Sequence, residues 1–146
     1  MHDLVKTALS ILALSLIFTG CAPEDTVPTE ALDEMVSGSL EQISSHPFVE
    51  SGHSVSGTVT TFKDSMSGEY TYELSSFNSQ NGPDLRIYIS QDLQASTFVD
   101  LGALKSTNGN LVYTATADQL SSIDAQYLLI WCRAADVLFA SARIQP

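Results

Sequence analysis

From His53 to the C-terminus, apolar and polar residues alternate with a period of two in short, regularly punctuated segments, the pattern of half-buried strands. Val55, Val59 and Thr61 alternate with Ser56, Thr58 and Thr60, and the run Asp64 to Gly68 supplies a hairpin loop. Tyr70, Tyr72 and Leu74 then alternate with Thr71 and Glu73. Asn81-Gly82-Pro83-Asp84 is a strong turn signal, followed by Leu85, Ile87 and Ile89 on one face and Arg86, Tyr88 and Ser90 on the other. Thr97 to Leu104 and Leu111 to Thr116 flank Asn108-Gly109-Asn110, which predicts a hairpin between them. Tyr127 to Cys132 is apolar on both faces, as a central strand requires, and Val137 to Ile144 alternates again. Seven or eight such strands predict an all-β antiparallel β-sandwich.

Ahead of this region the period changes. Leu32, Met35, Val36, Leu40 and Ile43 fall near three-to-four spacing, broken by Gly38 and stopped by Pro47, so residues 30–45 read as a short docked helix or as linker. Residues 22–29 combine prolines with acidic and small residues, the composition of a tether. The expected division is therefore a tether and possible helix over residues 21–47 and the sandwich domain over residues 48–146.

Thr7 to Phe18 form an apolar run behind Lys6. A bilayer span takes about 20 apolar residues, so this run fits the core of a signal peptide over residues 1–20. The closing Phe18-Thr19-Gly20-Cys21 is similar to a lipobox, in which the cysteine becomes an acylated mature N-terminus. Cys21 is thus the expected lipid attachment point, palmitate being the kind of chain it would carry. Each buried methylene contributes about 0.8 kcal/mol, and two or three acyl chains hold a protein at a membrane without a spanning helix. The expected location is the cell envelope, on the periplasmic or extracellular side.

The 146 residues carry 17 acidic and 6 basic side chains, for a formal net charge of -11. A cleavage ahead of Cys21 removes Asp3 and Lys6, one of each sign, so the exported part keeps that charge. With its few cations scattered, the chain lacks the positive surface that binding to a phosphate backbone requires, and nucleic acid is excluded as a partner.

Lipidation of Cys21 would leave Cys132 as the lone thiol of the mature chain, in a compartment where cysteines usually pair. Alternation places it on one face with Leu128 and Ile130, and Tyr127, Leu129 and Trp131 on the other. The commonest role of such a cysteine is that of a small buried hydrophobe. Activation of a thiol needs a nearby cation, helix N-terminus or metal; the adjacent Arg133 projects to the opposite face of an extended strand, unless the strand ends at Cys132 and the backbone turns.

Several segments together resemble a known family. They are Val55-Ser56-Gly57-Thr58-Val59, the run Gly82 to Ser90 (GPDLRIYIS), Phe98, the run Leu101 to Lys105 (LGALK), Asn108-Gly109, Tyr113, Ile130-Trp131-Cys132 and Val137-Leu138-Phe139. In this order they resemble the electron-transfer DM thirteen domain family. The resemblance implies a β-sandwich related to the DOMON domains, built around a cysteine proposed to be redox-active, which falls on Cys132. It also implies an electron-transfer or oxidative role with an unidentified redox partner protein, and a lipoprotein form among bacterial relatives that suits Cys21.

Other constellations carry less chemistry. Haem held as in a cytochrome would need axial ligands, and the mature chain offers only His46, His53, Met35 and Met66, mostly outside the regular strands; no cofactor is expected. No metal is expected either, since the histidines lack ligand spacing and Asp118, Asp124 and Asp136 are scattered through loops. Asp84 after Gly-Pro reads as a turn residue bonding its own backbone. Tyr88 and Trp131 could form an aromatic platform. That platform motivates the alternative to a redox domain, a non-catalytic cell-surface ligand-binding or adhesion sandwich.

Overall fold

The computed structural model describes residues 26–146. Two five-stranded sheets face each other. The first, in the order β1-β8-β5-β4-β2, consists of β1 (Leu32–Asp33), β2 (Glu41–Pro47), β4 (Val55–Lys63), β5 (Tyr70–Ser79) and β8 (Asn108–Ala115). The second, in the order β3-β10-β9-β6-β7, holds β3 (Val49–Glu50), β6 (Leu85–Ser90), β7 (Phe98–Ala103), β9 (Tyr127–Cys132) and β10 (Val137–Arg143). All pairings are antiparallel except β1 on β8. The fold is the expected all-β sandwich, with ten strands among the described residues rather than seven or eight.

The additional strands come from segments that alternation does not mark. The stretch read as a helix or linker contributes β1 and β2, and β2 pairs with β4 from Glu41 opposite Lys63 to Pro47 opposite Thr58. The three-to-four spacing of its apolar residues is incidental: tertiary pairing on an existing sheet edge outweighs weak local preference. Residues ahead of β1 are also tied to the sandwich. Asn81 receives the Val27 N–H on Oδ1 at 3.2 Å and donates through Nδ2 to the Val27 carbonyl at 2.9 Å, and Val27 is buried. The Pro28 carbonyl accepts from Thr107 N–H. The expected signal peptide and the expected lipid attachment point, Cys21, lie outside the described residues.

The hairpin expected between β7 and β8 does not form, since the two strands belong to different sheets. Gly109 instead sits on β8 with positive φ, pressed against the Leu32 backbone, where a side chain has no room. Gly57 works similarly. At the bulge between Ser56 and Thr58 it has φ of 118°, and a Cβ there would stand 2.8 Å from the Ser75 carbonyl oxygen.

The inward faces meet the sequence pattern closely. Val59, Leu74, Leu85, Ile87, Leu111, Leu128 and Ile130 are all completely buried between the sheets. β9 is the middle strand of its sheet, and its outer face is buried as well: Leu129 and Trp131 pack with Tyr88 against Ala95, Tyr127 and Leu138. The 91–97 loop makes this second layer, organised by Asp92, whose carboxylate accepts from the Gln94 and Ser96 N–H groups and the Ser96 hydroxyl.

Candidate functional site

Cys132 is the last residue of β9, in register with Leu85 of β6 and Val137 of β10. Alternation sends its side chain inward with Leu128 and Ile130, and it is only 1% exposed. Its Sγ–H donates to the carbonyl of Pro83 at 3.0 Å, so the Gly82-Pro83-Asp84 turn lies directly over the sulfur. Pro83 itself is exposed. The thiol is therefore separated from solvent by a turn.

That turn is held from several sides. Thr26 forms an isolated antiparallel bridge with Pro83, and Asn81 Oδ1 accepts from the Gly82 N–H at 2.8 Å. Gly82 is required for space, since a Cβ there would stand 2.9 Å from Phe139 Cζ and 3.3 Å from Leu85 Cδ2. Asp84 adopts φ of 54°, a left-handed conformation that Asp and Asn tolerate better than most residues. Arg133 completes the arrangement: its N–H donates to the Asp84 carbonyl at 3.1 Å and its Nε to Asp84 Oδ2 at 2.6 Å. The Asp84 carboxylate beside it raises the Arg133 guanidinium further above its ordinary value.

Asp84 sits at the turn as expected, but its carboxylate bonds Arg133 rather than its own backbone. β9 ends at Cys132 and the backbone turns there, so strand alternation does not place Arg133; its guanidinium is committed to Asp84 instead. A groove of about 280 Å³ runs beside the turn, lined by Val27, Asp84, Leu85, Arg86, Leu104 and Arg133.

The opposite face of this strand end carries aromatic residues. Tyr88 stacks on Phe98 with centroids 4.1 Å apart and interplanar angle 17°, and on Trp131 at 6.1 Å and 22°. Burial pushes the Tyr88 hydroxyl above its usual range, with the Asp100 carboxylate adding to the shift. With Gln94, Ala95, Arg133 and Asp136 these rings line a groove of about 290 Å³. Tyr88 and Trp131 are largely covered, so the exposed ring is Phe98, at 42%. Its place on edge strand β7 follows from sheet order, which alternation alone does not reveal.

The remaining candidates do not converge. His46 Nε2 bonds with the Gln145 carbonyl at 3.0 Å, and His53 stacks on Phe139 at 3.7 Å. Met35 and Met66 are 80% and 97% exposed in separate loops. Asp118 lies in the first turn of α1 (Ala117–Leu120), Asp124 accepts from the Gln126 amide, and Asp136 sits in the β9–β10 turn. Among the described residues no group of three or more His, Cys, Asp or Glu could hold a metal ion.

The family model described as Electron transfer DM13 matches residues 47–144. The chain belongs to the electron transfer DM13 family. The DM13 match runs from the last residue of β2 to just beyond β10 and contains both Cys132 and the turn over it. β1 and the rest of β2 lie ahead of it yet complete the first sheet. A function related to electron transfer follows from membership of the DM13 family. No curated protein and no solved structure matches the chain.

Proposed function

We propose that this DM13 domain is exported, held at a membrane through lipid on Cys21, and acts in electron transfer through reversible oxidation of the Cys132 sulfur. The observation that carries the reading is the placement of Cys132. It is the free cysteine of the described residues, at a strand end and under one turn rather than in the middle of the sandwich. Opening of the Gly82-Pro83-Asp84 turn would bare the sulfur while the strand ladders stay paired, at the cost of the Thr26 bridge and the few bonds to Cys132 and Arg133.

In the open state the deprotonated sulfur attacks one oxygen of a hydroperoxide. An S–O bond forms as the O–O bond breaks, and the departing oxygen takes up the proton the thiol released. Sulfur gives up two electrons and the peroxide gains them, leaving a sulfenic acid. A thiol of a redox partner then forms a mixed disulfide with the sulfur and releases water.

The test is exposure of the folded full-length chain to hydroperoxide with a sulfenic-acid trap, followed by peptide mass analysis. The expected outcome is trapping at Cys132 in the native protein and none in Cys132→Ser. Modification confined to unfolded protein would refute the proposal.

The aromatic groove of Tyr88, Phe98 and Trp131 favours a second reading, a non-catalytic surface module whose ligand stacks on Phe98. That reading requires a ligand that binds Cys132→Ser and wild type equally and is lost in Phe98→Ala.

A further inference from the structure

At the far end of β9, five residues and ~17 Å of strand from Cys132, the two sheets part around a cavity of about 280 Å³. Its apolar lining is Ile43 of β2, Leu120 of α1, Ile123 and Ile144, with the rings of Tyr70 and Tyr72 from β5. They are held in place. Thr116 and Gln119 cap α1 reciprocally and thereby set Leu120, Ser44 Oγ donates to the Ile144 carbonyl at 2.8 Å, and Gln145 Nε2 donates to the Ala125 carbonyl at 2.6 Å.

Three polar groups line this cavity, one of them without any hydrogen-bond partner and two of opposite charge that form no ion pair. Thr61 is 1% exposed, and its Oγ1 is the buried side-chain polar atom that has no hydrogen-bond partner among the described residues. Such atoms are rare in folded proteins and call for a ligand or solvent group opposite them. Lys63, two residues further along the same face of β4, lies over the Tyr70 ring at 5.1 Å. It forms no ion pair among the described residues, in a chain whose net charge is -11. Asp124, exposed at the opening, has only the Gln126 amide on its carboxylate. Lys63 and Asp124 line the same cavity and do not pair with each other.

Opposite charges that form no ion pair beside one opening match a ligand that carries both signs. Apolar and aromatic walls match a flat apolar body, and the buried hydroxyl beyond matches a hydrogen-bonding group at the ligand's far end. The volume lies just below the usual range for drug-sized ligands, about 300–1,000 Å³, and suits a small ligand. We propose that this cavity binds a free aromatic α-amino acid whose ring ends in a hydroxyl, the chemistry of L-tyrosine. The carboxylate meets Lys63, the ammonium meets Asp124 and the ring hydroxyl meets Thr61. The site is independent of Cys132 oxidation.

The experiment is calorimetric titration of the full-length chain with L-tyrosine, L-phenylalanine, tyramine and desaminotyrosine. L-tyrosine is expected to bind saturably, with L-phenylalanine about fivefold weaker for the lost hydrogen bond. Tyramine and desaminotyrosine, each lacking one charge, are expected to bind about tenfold weaker. Thr61→Val preserves shape and removes the unpaired hydroxyl, so it should fold at least as well as wild type while binding L-tyrosine and L-phenylalanine equally. Lys63→Met should erase the preference for L-tyrosine over tyramine. Absence of saturable L-tyrosine binding would overturn the proposal, as would binding whose preferences survive both substitutions. A Thr61 hydroxyl satisfied only by water gives the first of these results.

Discussion

Arg133 holds Asp84 through both backbone and side chain, with N–H to carbonyl at 3.1 Å and Nε to carboxylate at 2.6 Å. The two residues are 49 positions apart and meet because β6 and β9 are neighbours in register, Leu85 opposite Cys132. Their consequence is local. The turn they close is the cover of the Cys132 sulfur, and one of its attachments is an ion pair of which Arg133 is more than half exposed. Screened pairs of this kind hold weakly, so opening the cover is expected to cost less than parting the sheets.

Asp84→Asn tests that dependence. Asn tolerates the left-handed backbone at this position as well as Asp does but brings no charge to Arg133. Labelling of Cys132 by maleimide should accelerate several-fold under native conditions, with little change in the urea midpoint. The wild-type rate should rise with salt, and that of the variant should not.

Gly82→Ala should act on stability instead. The added methyl meets the Phe139 ring and Leu85 at 2.9 to 3.3 Å, inside ordinary contact. Overpacking of this order costs about 1–3 kcal/mol. Urea unfolding reads it directly.

Leu128 and Leu129 make a pair of substitutions that separate the two layers. Both side chains are wholly buried, Leu128 between the sheets and Leu129 beneath the Tyr88 and Trp131 layer. Leu128→Ala and Leu129→Ala should each cost about 2–5 kcal/mol. In a sandwich whose outer face is wet, the second substitution would cost no more than about 0.5 kcal/mol.

Glu34 gives the pH dependence. Burial acts to raise its pKa, but the Val112 N–H at 2.7 Å and the Lys105 ammonium at 3.0 Å act against it, leaving the carboxyl below its ordinary value of 4.5. A carboxylate depressed in the folded state adds stability above its unfolded pKa and loses it as pH falls through the folded one. Wild type should therefore exceed Glu34→Gln in urea midpoint at about pH 7, and the gap should close towards about pH 3. Hydrogen exchange of the β1 and β8 amides should report the same loss.

The strands most legible in the sequence are those whose neighbours on both sides bury one face cleanly. Leu85, Ile87 and Ile89 illustrate this, and the unbroken apolar run of β9 correctly signals a central strand. β1 and β2 were hidden because edge strands bury little. Their apolar residues Leu32 and Ile43 are only partly covered, and pairing with β8 and β4 rather than periodicity makes them strands. The Asn108-Gly109-Asn110 signal is a real conformational demand, but the close approach to Leu32 makes that demand, not a hairpin. At the candidate site the side of β9 on which Cys132 lies was legible from alternation. The partners of Cys132 and Arg133 were not, since Pro83 and Asp84 reach them through sheet order across a separation of 49 residues.

Whether Cys132 reacts from the folded protein is measured by native-state maleimide labelling of the full-length chain across a series of low urea concentrations, with peptide mass assignment and Cys132→Ser as the blank. Opening of the turn alone predicts a labelling rate nearly independent of urea below the unfolding transition, well above the rate allowed by global unfolding. A rate that follows global unfolding throughout, with Cys132 silent in the folded protein, would contradict a redox role for this sulfur.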